Sequence, residues 1–195
     1  MASVVDVCNA ALSNIGHNGN VTSIDPLDGS MYAAYCARFF PIARDEALEE
    51  HPWRFAVKRS LLALSGTEPS SWAYQYAIPS DYIRALSILP EDYGSDIEGT
   101  EDYVVEGDYI MTNTEAATLH YISRVSDTTK WSPSFTATVG WKLAQYLAGV
   151  IVKGDAQMRV YCGKMYQEYL MKAMSFNAQA SKTRPAHVPV WMQDR

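Results

Sequence analysis

Leu48-Glu-Glu-His-Pro-Trp-Arg-Phe-Ala56 is where this chain changes its hydrophobic period. Upstream, from about residue 28, Tyr32, Tyr35, Cys36, Phe39, Ala43, Ala47 and Leu48 recur at three- and four-residue steps, the spacing of one helix face. His51-Pro52 ends that helix, because a residue before proline is pushed out of the α region. Downstream, Phe55, Val57, Leu61 and Leu62 suggest an extended segment, with a short helix as the alternative. A helical part gives way here to a strand-rich part.

Working outward, residues 3–16 form a first helix with Val4, Val5, Cys8, Leu12 and Ile15 inward. Ser3 and Asp6 make a capping box, and Gly16 sits where a helix ends. Pro41 lies inside the second helix and predicts a kink or a break there, since it removes one backbone bond. Past the boundary, Trp72-Ala-Tyr-Gln-Tyr-Ala-Ile78 alternates in the manner of a strand, and so do residues 82–89 and 117–125. Residues 103–106 and 109–112 flank Gly107-Asp108 as a two-residue hairpin. Residues 134–153 are apolar nearly all round, which places that helix at the centre of a bundle or against another subunit. Gly154-Asp155 starts a fourth helix, about 156–178, with Met158, Cys162, Met165, Tyr169 and Phe176 as its stripe.

The predicted fold is mainly α with a β excursion. Residues 1–52 and 133–180 form a four-helix bundle, and a small antiparallel sheet of about four strands is inserted between the helix pairs as residues 53–132. Residues 181–195 are an extended C-terminal tail.

Composition narrows the function. The 195 residues are 48% hydrophobic and only 19% charged, with 13 Tyr, 8 Met and 5 Trp. That is more aromatic material than a small monomer needs, and it points to buried protein–protein surface. Three dispersed cysteines make neither a disulfide scaffold nor a zinc module, and all three fall on apolar stripes. The start of the chain has no secretory pattern, and no run reaches the roughly 20 apolar residues of a membrane span. The expectation is a soluble protein made in the cytoplasm.

The net charge of −6 is unevenly placed. Residues 1–127 hold 19 acids and 7 bases, and residues 128–195 hold 3 acids and 9 bases. Glu91, Asp92, Asp96, Glu98, Glu101, Asp102, Glu106 and Asp108 form a block without a base. Such a chain is a poor sequence-independent nucleic-acid binder, because phosphate contacts need clustered Lys and Arg.

Catalytic patterns are nearly missing. His17, His51, His120 and His187 are scattered, and no phosphate-cradle, nucleophile-elbow or zinc-protease motif occurs. Asp45, Glu46, Glu49 and Glu50 crowd one helix, and a glycosidase could use two carboxylates. Carboxylates at helical spacing are more often a solvated face. The reading is no enzyme, no cofactor and no metal.

Pro41-Ile-Ala-Arg44 with Leu48-Glu-Glu-His-Pro-Trp-Arg-Phe-Ala56 and Asn9-Ala-Ala-Leu-Ser-Asn-Ile-Gly16 resembles the tail tubular protein A family of short-tailed phages. Trp72-Ala-Tyr-Gln-Tyr-Ala-Ile-Pro-Ser-Asp-Tyr82, Gly107-Asp-Tyr-Ile110, Tyr121-Ile-Ser-Arg124, Pro133-Ser-Phe135 and Pro189-Val-Trp191 follow in the family's order. The resemblance implies a structural virion component of the tail or neck. This would be a head-to-tail adaptor forming a homo-oligomeric ring, a dodecamer in the known cases, below the portal protein. Such a ring prolongs the DNA channel, lets double-stranded DNA pass without sequence-specific binding, and meets a tail nozzle or tail-fibre proteins. A head-completion connector of a long-tailed phage is the alternative, and a cell-envelope hydrolase using Glu46, Glu49 and Glu50 a more distant one. Within the adaptor reading, Lys182, Arg184, Val190 and Trp191 of the tail dock on portal or a neighbouring subunit. Glu91, Asp92, Asp96, Glu98, Glu101 and Asp102 face the lumen or the tail partner.

Overall fold

The structure, a computed structural model, describes residues 2–65, 71–90, 101–152 and 155–180. Helices α1 (Val4–Asn14) and α2 (Met31–Glu49) come first. Strands β1 (Val57–Leu61), β2 (Tyr74–Ala77), β3 (Tyr82–Leu89), β4 (Tyr103–Glu106), β5 (Tyr109–Thr112) and β6 (Thr118–Ser123) follow. Helices α3 (Pro133–Ile151) and α4 (Ala156–Gln179) close the described chain.

Local chemistry sets the helix ends. The Ser3 hydroxyl accepts from the Asp6 N–H at 3.1 Å while the Asp6 carboxylate accepts from the Ser3 N–H at 2.8 Å, the expected capping box. Asp6 is held below the usual carboxylate range by these bonds to Ser3. Gly16, just past the C-cap Ile15, takes the left-handed φ of +73° that a side chain would resist. Ser30, Ser132 and Asp155 cap the other three helices, and Pro133 occupies the first turn of α3, where its missing N–H costs nothing. The helix does not break at Pro41: α2 runs through it as one helix. Pro41 lies on the exposed side of α2, where giving up one backbone bond costs least.

The four-helix bundle with a single sheet of about four strands is not what the chain builds. Among the described residues there are six strands, in two three-stranded antiparallel sheets ordered β1-β6-β3 and β2-β5-β4. β6 pairs with β1 on one side and β3 on the other, so both its edges are used, and the β4–β5 hairpin recruits β2 instead. In the hairpin only Gly107 takes positive φ, at +58°, the demand a type II′ turn makes of its first central residue. Among the helices, α1, α2 and α4 each pack on α3. A bundle needs four helices of matched length, each with two neighbours. Here α1 has 11 residues against 19 in α3 and 24 in α4, and α3 is apolar enough to serve as a hub.

The result is three layers. Ile122 of β6 joins the helical core, and Ile83 and Leu86 of β3 pack against that core. Leu119 and Tyr121 of β6 point the other way. They meet Tyr76 and Ile110 of the second sheet in a smaller core. In β3, Tyr82, Ala85 and Ile88 all face this second core, a three-residue step that a regular strand cannot make. Register shifts between Tyr82 and Arg84 and between Ala85 and Ser87 supply the extra residues.

Trp53 joins the layers. Its indole N–H donates to the Ala47 carbonyl at 2.8 Å, inside the last turn of α2, where no helical N–H is available. Its ring meets Phe135 of α3 edge-on at 4.9 Å. The N–H groups of Ala56 and Val57 fold back onto the Trp53 carbonyl at 2.8 and 3.0 Å, so the strand begins at Val57, not at Trp53.

Candidate functional site

The acidic cluster on α2 resolves into ties between elements. Asp45 accepts from Arg44 Nε at 2.7 Å and from Arg124 Nε, just past β6, at 3.0 Å. Glu46 accepts from the Tyr146 hydroxyl at 2.6 Å and pairs with Lys142 Nζ at 2.8 Å, both on α3. Lys142 also lies over the Tyr166 ring of α4, 4.6 Å from its centre. Burial opposes ionisation of Glu46, but Lys142 and Tyr146 outweigh it, so its carboxyl lies below the ordinary range. Tyr146 is pushed up to about 12, by burial first and by Glu46 next. A general acid needs a raised carboxyl, and Glu46 is lowered. Glu49 and Glu50 share with Glu46, Arg84 and Lys142 a polar recess of about 360 Å³. Within it, Lys142 and Tyr146 hold the Glu46 charge in place.

A second network serves the first sheet. Asp81 accepts from the Tyr121 hydroxyl at 2.8 Å and from Lys58. Burial would raise its carboxyl, but Lys58 and Tyr121 lower it, and Tyr121 is pushed up to about 12 by burial and by Asp81. His51 meets Asn177 of α4 through Nε2 at 2.9 Å, and burial, then Arg84, lowers its protonation range. His120 lies on β6 beside Ser87, and Cys8, Cys36 and Cys162 are free and buried, as small core residues. Among the described residues no group of three metal-ligating side chains gathers, and no helix is long and apolar enough to cross a membrane.

The tail residues Lys182, Arg184, Val190 and Trp191 and the loop residues Glu91, Asp92, Asp96 and Glu98 lie outside the described residues. Glu101 and Asp102 are described and exposed just before β4, where the Asp102 carbonyl accepts from Thr112 Oγ1 at 2.8 Å.

Two surfaces escape the sequence reading. The first is the outer face of α4. Its buried stripe is Cys162, Tyr166, Leu170 and Ala173, which displaces the predicted stripe by about one residue. Phe176, predicted inside, is exposed. Val160 and Met171, 59% and 63% exposed, stand three helical turns apart on the side away from the core, whereas the half-exposed Tyr161 turns its ring edge-on to Trp141 of α3 at 6.0 Å. A helix with apolar residues on both sides shows no dominant stripe in its sequence, which is why the outer face went unread.

The second surface is an apolar groove of about 760 Å³ beside the α1–α3 contact. Val7 and Ala10 of α1 and Ala137 and Gly140 of α3 line it, and Trp131 and Trp141 wall it. Small residues make the hollow, and a Cβ added at Gly140 would meet nothing within 4 Å. Alanine and glycine on helices read as neutral in sequence, so this hollow belongs to the packing alone. No family model matches this chain, and no curated protein matches it.

Proposed function

We propose that this chain is a structural component of a virion, a head-to-tail adaptor that assembles into a ring below the portal and carries the DNA channel toward a tail nozzle. The observation that supports it most is the outer face of α4, where Val160 and Met171 stand exposed on the same helix that packs on α3. Large apolar side chains exposed on one helix face, with Lys164 and Gln167 between them, suit a mixed surface that a neighbouring subunit covers. The ordered series of motifs that resembles the tail tubular protein A family suggests the kind of ring, and a copy number of twelve follows from that resemblance. Of the α2 carboxylates, Asp45 is engaged by Arg44 and Arg124 and Glu46 by Lys142 and Tyr146, a structural use that favours the adaptor reading over the hydrolase one. In the assembled particle the basic tail (Lys182, Arg184, Val190, Trp191) docks on portal or a neighbour, and the acidic loop faces the lumen or the tail partner.

Native mass spectrometry of the chain mixed with the portal protein of its own phage tests the reading. A ring on portal is the expected result. The double variant Val160→Asp, Met171→Asp keeps the monomer folded and loses the ring. A chain that stays monomeric with portal at every concentration, or a double variant that assembles normally, overturns it.

A further inference from the structure

Trp131 stands between two hollows. On one side it meets the end of α4, where Phe176 and Ala180 line a small recess with Phe55 and Ser132. On the other it walls the apolar groove beside the α1–α3 contact. The described chain stops at Ala180, which lines that recess with Trp131, so residue 181 follows one tryptophan away from the groove.

We propose that in the free protein the chain's own segment Val188-Pro-Val-Trp191 occupies this groove. Reach is ample. The eight residues from 181 to 188 extend up to about 29 Å, whereas the groove wall from Pro133 to Trp141 covers about 12 Å of helix. Chemistry matches as well. The groove is walled by aromatic rings and floored by small residues, and its volume falls within the roughly 300–1,000 Å³ that binding pockets use. The segment offers two valines, a proline and a tryptophan, a compact apolar set. Charge adds to the fit. Asp6 is the one charged residue among those lining the groove, and the tail carries Lys182, Arg184 and Arg195 against Asp194. A short tether gives an effective concentration in the millimolar range, so modest contacts suffice. Pro185 and Pro189 restrict the segment to extended forms before it docks, which lowers the ordering cost. The inference concerns the chain before assembly and stands apart from the ring reading.

Hydrogen exchange of the full chain, read by mass spectrometry on fragments covering 186–195, tests it. Exchange is expected at least tenfold slower than in a synthetic 181–195 peptide, and unchanged on tenfold dilution of the protein. Trp191→Ala returns it to the free-peptide rate. Gly140→Leu, which fills the groove floor from within, and Ala10→Leu, on the exposed side of α1, each do the same while α1 and α3 keep their own protection. Free-peptide exchange in the unaltered chain overturns the proposal. So does protection that fades on dilution, which would make a second copy the donor, and so does protection that survives both groove variants. Should Gly140→Leu fail to fold, Ala10→Leu and Trp191→Ala decide.

Discussion

Replacing Trp53 by Ala removes the side chain on which α2, α3 and the turn leading into β1 meet. Trp53 is 1% exposed, packs edge-on against Phe135 at 4.9 Å and lies 6.3 Å from Phe55. Truncating a buried large aromatic costs about 3–5 kcal/mol, including the cavity left behind. The indole also donates to the Ala47 carbonyl in the last turn of α2, and an acceptor stranded in a closed site costs about 1–3 kcal/mol. These contributions overlap, so the expected loss is about 4–5 kcal/mol, the upper part of the range for such truncations. Trp53→Phe keeps most of the ring contact and loses the N–H, and about 1–3 kcal/mol is expected. Urea unfolding followed by far-ultraviolet circular dichroism reads both as midpoint shifts at constant slope. A domain of ordinary stability, about 5–15 kcal/mol, leaves Trp53→Ala close to its limit, so the Phe variant anchors the comparison. A loss under about 2 kcal/mol for Trp53→Ala, or equal losses for the two variants, refutes the role given to this residue.

Further outcomes follow from other contacts. Asp81→Asn is expected to destabilise at neutral pH, because Lys58 and Tyr121 favour the ionised carboxylate and hold its titration below the unfolded value of about 3.9. That contribution is present above about pH 4 and is lost as pH falls through the folded, lower value, so the gap between variant and parent narrows in acid. A gap that stays constant from pH 7 to pH 2 in urea titrations refutes it. Ser3→Ala opens the capping box of α1 and is expected to cost about 1 kcal/mol by the same unfolding assay, with the loss confined to amide protection in residues 4–8 if the helix only frays. Gly163→Ala is expected to stabilise by about 0.5–1 kcal/mol, since the new methyl meets only the Gln145 amide at 2.9 Å, the movable end of a flexible side chain. A thermal midpoint below that of the parent would mean that Gln145 is held.

The helices were legible because each carries its own ends. Ser3 with Asp6, Asp155 and the change of period at His51-Pro52 are local chemistry, and the structure places α1, α3 and α4 within two or three residues of the expected bounds. The β3 strand and the β4–β5 hairpin were legible for the same reason, since Gly107-Asp108 specifies its turn without help from the rest of the chain. The predicted faces were less accurate. On α4 the apolar residues lie on both sides, and only the position of α3 selects Tyr166 and Leu170 as the inner ones over Met165 and Phe176. On α2 the same selection buries Ala33 and Phe40 fully and leaves Tyr32 and Phe39 partly buried against the core.

By itself, then, the sequence determined the elements, their order, the burial of the three cysteines and the shift from an acidic body to a basic end. Turns, caps and periodicity act over a few residues, and a single chain states them directly. Only the tertiary structure decided that the strands divide into two sheets, because that depends on β6 having both edges taken by β1 and β3. It also decided that α3 is a hub and not one wall of a bundle, that Glu46 serves Lys142 and Tyr146, and that a groove opens where Ala10, Ala137 and Gly140 meet. Each of these arises between residues far apart in the chain, where the fit of one surface to another, not local propensity, sets the outcome.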